Sequence, residues 1–316
     1  MAAAVAAMAA ATAAVPAAAV GALPRPMNPT TTISRSDTSV LHTIEQLSAP
    51  GKPGRPNEDG CGAAGAYAWI IDGATGLADA PLLDAPSDAA WLTAAIHLAF
   101  TEHADAPTPD ALLARANRAV AARFAAERIR APEHRYEIPA AAFLLVRDNG
   151  DHIEIAELGD CATIVADATG CARYGGTEEG RAREQTNAAS IMHGSFERTP
   201  AVLANLRASR NQANAPGGFP IFAPGTWDGK GARIHRHPLA PTADALLMTD
   251  GYFAAVVDYA LFDPPGLMAA AQDGLAGPLA QIRATETADA DNTRFPRFKQ
   301  SDDATALLVR FDGVQA

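Results

Sequence analysis

The stretch PNEDGCGAAGAYAWIIDG, residues 56 to 73, sets three carboxylates, Glu58, Asp59 and Asp72, around one apolar run. AYAWIID (66–72) has the length and near-continuous hydrophobicity of a buried strand. The Pro, Asn, Asp and Gly before it are turn formers, because Asx side chains bond their own backbone and Gly tolerates positive φ. Read alone, PNEDG is a turn and Asp72-Gly73 a hairpin corner. Two more apolar segments are flanked in the same way, by MTDG (248–251) and by SDDAT (301–305). Carboxylates gathered from several strand ends repel one another, at a cost that grows as the site dries. A metal is the natural compensation. Hard cations such as Mg²⁺ and Mn²⁺ prefer oxygen ligands, and two close together can clamp a phosphate and acidify a water. Zinc is disfavoured because no His/Cys ligand spacing occurs.

Working outward, VLHTIEQL (40–47) partly alternates as a half-buried strand. After Pro86, Ser87 and Asp88 offer N-caps to a helix whose buried face is Trp91, Leu92, Ala95, Ile96 and Ala99. A second helix is expected from Pro109 to about Arg130, with Leu113, Ala116, Val120 and Phe124 inward. AAAFLLVRD (140–148), HIEIAELGD (152–160) and CATIVAD (161–167) read as strands of one antiparallel meander, joined by DNGD and by a GD corner. Residues 175–231 are polar, with one helix at 199–210 and then NAPGGFPIFAPGTWDGKG. They read as a flap or insertion over a face, the kind of segment that often carries recognition. DALLMTDG (244–251), a helical stretch to about Ala288 and the strand ATALLVRFD (304–312) complete the pattern. Strand groups interleaved with helix pairs indicate an α+β fold.

The chain has 316 residues and a formal net charge of −11, with three scattered cysteines, Cys61, Cys161 and Cys171. The acidity argues against an extended nucleic-acid surface. The cysteines are too few for a disulfide framework and point to a reducing cytoplasm. Residues 1–38 read as an Ala-rich tail and Pro/Thr/Ser linker ahead of a domain at 39–316. With no Lys or Arg before Arg25, that tail lacks the charged lead of a secretory signal, and alanine is a poor membrane span.

In this order, NED, strand-DG, LGD after a strand, LLMTDG and DDAT before the last strand resemble the metal-dependent serine/threonine protein phosphatases of type 2C, over about residues 40–312. The resemblance implies two stacked antiparallel β-sheets flanked by helix pairs, a four-layer αββα sandwich with two metals at one end. It implies that Asp59 and Asp72 bind both ions, Mn²⁺ or Mg²⁺, with the Gly73 carbonyl as a further ligand and Asp250 and Asp302 completing the set. Asp160, in LGDC, matches the ligand of a third, weaker ion. Glu58 would act through metal-bound water and Arg55 would clamp the phosphate, since a guanidinium can grip two phosphate oxygens. The mechanism implied is one in-line displacement by a hydroxide between the metals, without a phosphoenzyme.

The chain departs from the family in two places. Arg55 stands one residue nearer the acidic pair than is common, which makes Lys52 the fallback. Ala74 follows the second motif's DG where some members carry a histidine acid. Of the remaining candidates, His235 and His237 read as a solvated strand edge, Asp303 as an outward carboxylate or one that supports the site from behind Asp302, and Cys161 as a small buried hydrophobe. Trp69 and Trp91 read as core, and Trp227 either touches substrate or pins its loop. The expectation is a monomeric phosphatase for phosphoserine and phosphothreonine proteins, opposing a kinase, with no nucleic-acid or membrane partner. Its rivals are a phosphatase for small phosphate esters and a silent phosphoprotein-binding module.

Overall fold

Alternate residues of each central strand feed two different cores, and this builds the architecture. A computed structural model describes residues 40–176, 178–192, 195–196 and 198–312. The proposed tail and linker at 1–38 lie outside them. The described elements belong to one compact unit, Asp37–Ala316. One five-stranded antiparallel sheet has the order β1 (Val40–Ala49), β10 (Ala304–Asp312), β9 (Thr242–Met248), β6 (Ala162–Asp167) and β7 (Gly170–Gly175). The other runs β2 (Asp59–Ala64), β3 (Tyr67–Ala74), β4 (Ala140–Asp148), β5 (His152–Leu158) and β8 (Arg233–Pro238).

Between the sheets, Ile70, Leu144 and Ile155 meet Val165, Leu247, Leu307 and Val309. Outside the second sheet, Trp69, Ile71 and Phe143 pack on Leu92, Ile96, Leu113 and Phe124 of helices α1 (Asp88–Glu102) and α2 (Pro109–Glu127). Outside the first sheet, Leu246, Met248 and Leu308 meet Phe253, Leu267 and Ile282 of α5 (Asp250–Val257), α6 (Pro264–Gln272) and α7 (Ala276–Ala288). Strand β3 reads as one apolar run because Ala68 and Ile70 face the inter-sheet core while Tyr67, Trp69 and Ile71 face the helices. The expected four-layer α+β sandwich is the structure found.

Several local expectations change. The 161–167 strand does not extend the meander of β4 and β5: Gly159-Asp160 hands the chain to the other sheet, where β6 pairs with β9 and β7. Gly159 makes that corner at φ +101°, where a Cβ would lie 2.4 Å from Ala142 Cβ. The small-residue strand β2 and the exposed strand β7 carry too little hydrophobic pattern to be seen in advance. The helical stretch to Ala288 breaks into three, at Pro264-Pro265 and at Gly274, whose φ is +136°. Helix α2 stops at Glu127, and Arg130 turns aside to donate to the carbonyls of Ala80 and Pro81.

Residues 175–231 contain α3 (Glu178–Ile191) and α4 (Pro200–Arg210), the latter capped by Thr199, which accepts from Val202 N. The Gly/Pro-rich part is firmly docked. Phe222 exchanges backbone hydrogen bonds of 2.9 and 3.2 Å with Ala141, and Trp227 is buried against Phe143 and Phe222. Trp227 therefore pins its loop, its indole N–H donating to Lys230 O at 2.7 Å. Among the described residues, no helix is long and apolar enough to cross a membrane.

Candidate active site

The antiparallel registers bring the acidic motifs to one end of the sandwich. Met248 pairs with both Ala306 and Ala162, so Asp250, Asp302 and Asp160 leave their strands together. On the facing sheet Asp59 and Asp72 are directly opposite one another in the β2–β3 pair. Side chains opposite each other on antiparallel strands share a face, with Cβ atoms about 5 Å apart, and like charges so placed are destabilising. A cavity of about 320 Å³ opens here, lined by Asp72, Gly73, Asp160, Asp250 and Asp302.

The loop before β2 is held by a carboxylate from the far end of the chain. Asp303 accepts from Gly51 N at 2.8 Å and from Glu58 N at 2.7 Å. Of the two readings of Asp303, outward or supporting the site, the supporting one holds, because it fixes the acidic loop. Asn57 accepts from Asp59 N at 3.0 Å and donates to Ser48 Oγ, which bonds Thr305 Oγ1. Glu58 is 8% exposed, and its two oxygens accept from Thr75 Oγ1 at 2.6 Å and Ser87 Oγ at 2.7 Å. Its carbonyl accepts from Gly73 N and from Thr93 Oγ1. A Cβ on Gly73 would stand 2.3 Å from that carbonyl, and one on Gly251 would stand 2.0 Å from Asp303 O. The glycine of each DG pair thus follows from the close approach of two backbones.

Burial, more than any neighbour, pushes the Asp59 carboxyl well above the ordinary range; a hydrogen bond from Thr249 opposes it, while Asp302, Asp303 and Asp250 add to it. Asp72 is raised in the same way, by burial first and then by Asp250, Asp59, Asp160 and Asp302. Thr249 Oγ1 donates to Asp59 at 2.8 Å and accepts from Thr305 N at 3.0 Å. It stands at the N-cap of α5 with Asp250 in the first turn. Lys299 Nζ donates to Asp302 at 2.6 Å. Burial pulls this ammonium's pKa down, but the charge and hydrogen bond of Asp302, with Asp72 and Asp250, outweigh it and leave it above the ordinary value.

Other candidates fall elsewhere. Arg55 and Lys52 are exposed and outside the cavity lining. His235 and His237 lie on the edge strand β8 but turn toward neighbouring strands: His235 Nε2 meets Glu157 Oε1 at 2.9 Å, and His237 Nδ1 meets the Tyr174 hydroxyl at 2.9 Å. Cys161 is buried, as expected. Sequence reasoning did not find Thr249, Lys299, or Arg198 and Arg210, whose side chains also line the cavity. Only Thr249, inside MTDG, carried a signal.

Among the described residues, no three His, Cys, Asp or Glu side chains already close around one ion. Hard cations do not require it: Mg²⁺ commonly takes one or two carboxylates and keeps several waters. The opposed Asp59 and Asp72, desolvated and surrounded by further negative charge, form an all-oxygen donor set that lacks a multivalent counter-charge. That set fits Mn²⁺ or Mg²⁺.

A family model described as protein phosphatase 2C matches residues 51–275. Solved structures similar to the chain include the Mycobacterium tuberculosis serine/threonine phosphatase PstP/Ppp, at 14% identity, covering 87% of this chain and 99% of that one, with a TM-score of 0.49. The catalytic domain of PstP in complex with two manganese ions is 15% identical over 87% and 99% of the chains, with a TM-score of 0.48. The S. agalactiae serine/threonine phosphatase is 13% identical over 88% and 100%, with a TM-score of 0.49. No curated protein matches the chain. The family match runs through the NED, IIDG, LGD and MTDG segments, and the register of β10 against β9 then adds Asp302. The chain belongs to the protein phosphatase 2C family of metal-dependent serine/threonine protein phosphatases.

Proposed function

We propose that the protein removes phosphate from phosphoserine and phosphothreonine side chains of proteins, using two divalent ions, Mn²⁺ or Mg²⁺. The observation that carries this reading is the in-register opposition of Asp59 and Asp72 at the mouth of the inter-sheet core, with Asp250, Asp302 and Asp160 converging on it. Asp59 and Asp72 would be shared between the ions, with the Gly73 carbonyl beside them, Asp250 and Asp302 completing the set, and Asp160 serving a third, weaker site. When bound, such ions lower the pKa of a water and neutralise phosphoryl charge.

The chain's own residues prepare that chemistry. Thr249 holds one oxygen of Asp59 and so fixes which way the carboxylate faces. Asp303 and Asn57 set the backbone of the Glu58-Asp59 pair. Glu58, with both oxygens engaged by Thr75 and Ser87, ties that pair to the start of α1. Ala74 offers no acid after the second DG, so water or another group must protonate the departing alkoxide. The three cysteines are unpaired, in keeping with work in a reducing cytoplasm.

The test compares kcat/KM for a phosphothreonine peptide and for p-nitrophenyl phosphate, with Mn²⁺ and with Mg²⁺. A higher value for the peptide supports the phosphoprotein substrate. A preference for the small ester would reassign the enzyme to small phosphate esters.

A further inference from the structure

The cavity holds a cation that the acidic motifs do not explain. Arg210 is the last residue of α4, and its guanidinium lines the same cavity as Asp72, Asp160, Asp250 and Asp302. Its side chain has no hydrogen-bond or ion-pair partner among the described residues. Burial pulls its pKa down, Glu58 pulls it back up in part, and Arg198 lowers it further. Arg210 is half-buried at the cavity wall, and its guanidinium carries five donors that the acceptors of a bound anion can meet.

The helix that carries it is firmly placed. Arg207, one turn earlier, donates to Leu77 O at 2.9 Å and to Asp79, and its guanidinium stacks 4.9 Å from the Tyr136 ring centroid. Asn211, the residue after Arg210, accepts from Tyr136 N at 3.0 Å. Val202 packs in a small core with Ala188 and Met192. Leu77 follows β3 by three residues, so α4 is anchored just beyond the strand that carries Asp72. Arg55, by contrast, is exposed and does not line the cavity.

We propose that Arg210 grips the substrate's phosphate oxygens, the role that Arg55 would otherwise hold. This rests on the phosphatase reading above and makes the segment between β7 and β8 a part of the binding site. The ligand class is a phosphate monoester dianion, whose oxygens match the planar fork of a guanidinium as a lysine ammonium cannot. Arg198, on the same segment, adds positive charge at the cavity.

The test uses the full-length, Mn²⁺-loaded protein and titration calorimetry with orthophosphate, on the wild type, Arg210→Gln, Arg210→Lys and Arg55→Gln. Arg210→Gln should weaken orthophosphate binding by about 10- to 100-fold, as expected for lost hydrogen bonds to a charged group. Arg210→Lys should fall between, and Mn²⁺ affinity, measured first, should stay within about two-fold of wild type as evidence of an intact fold. With p-nitrophenyl phosphate, KM should rise by a similar factor. Wild-type phosphate affinity in Arg210→Gln overturns the proposal, as does the same loss appearing in Arg55→Gln and not in Arg210→Gln. Absence of turnover by the wild type would count against the phosphatase reading alone, because orthophosphate binding still decides the role of Arg210.

Discussion

Replacing Asp72 by Asn should stabilise the metal-free protein, although it removes a group from the heart of the site. Asp59 and Asp72 face each other across β2 and β3, with Asp250, Asp160 and Asp302 adding like charge. Two charges about 5 Å apart repel by about 3 kcal/mol at an effective dielectric of about 20. Protonation relieves part of this, and the direction of the pH dependence follows. Burial and the neighbouring carboxylates raise Asp72 in the folded protein, so the native state holds the proton longer than the unfolded chain does. Stability is therefore fullest below the ordinary carboxylate value and is lost as pH rises through the raised folded value. In EDTA at pH 8, Asp72→Asn should gain about 1–3 kcal/mol, at about 2–4 °C in Tm per kcal/mol for a domain of this size. Its melting should also depend less on pH than the wild type's. Saturating Mn²⁺ should reverse the order, because an ion that binds only the native state stabilises it, by about 2.7 kcal/mol at one hundred times Kd. Thermal melts of both proteins across pH, with EDTA and with Mn²⁺, provide the assay. A variant that melts below the wild type in EDTA at pH 8, or that keeps the full Mn²⁺ shift, would refute the reasoning.

Three further outcomes follow from the same geometry. Gly73→Ala would push a Cβ to within 2.3 Å of Glu58 O, and should cost about 1–3 kcal/mol as a lowered urea midpoint; an unchanged midpoint would mean that this end of β3 is loosely packed. Thr249→Val removes the hydroxyl that holds Asp59 and should weaken Mn²⁺ binding by about 10- to 100-fold in calorimetry, with a stability loss of only about 1 kcal/mol. Lys299→Met frees Asp302 from its resident ammonium and should tighten Mn²⁺ binding by about two- to five-fold, the worth of a partly exposed ion pair; weaker binding would show instead that the lysine orders the site.

Much of the fold was legible because its central strands feed two apolar cores and its first two helices are amphipathic with marked caps. Ser87 caps α1 as expected, and α2 begins at the expected Pro109, with Thr108 as its cap. The acidic motifs were legible because each occupies a strand end. The crossing at Gly159-Asp160 was not, since a two-residue Gly-Asp corner reads as a hairpin unless the partners of each strand are known. Strand β2 escaped notice because Gly60, Gly62, Ala63 and Ala64 leave no alternation to read, and its place is set by register with β3. Arg210 and Lys299 were invisible for another reason: nothing in the local sequence marks either cation, at the end of a polar helix and in an irregular segment, and only tertiary packing brings them to the carboxylates. Long-range hydrogen bonds such as Asp303 to the backbone of Gly51 and Glu58 likewise have no signature in local sequence.

The central claim, that converging carboxylates on this fold hold divalent ions which drive phosphate hydrolysis, is tested most directly by turnover of a phosphothreonine peptide. Metal-stripped wild type and Asp250→Asn would be assayed with and without added Mn²⁺ or Mg²⁺. The account predicts no turnover without metal, restoration in the wild type on adding it back, and a rate reduced by about 100-fold or more in Asp250→Asn. Turnover that persists in EDTA, or that is the same in Asp250→Asn as in the wild type, would contradict it.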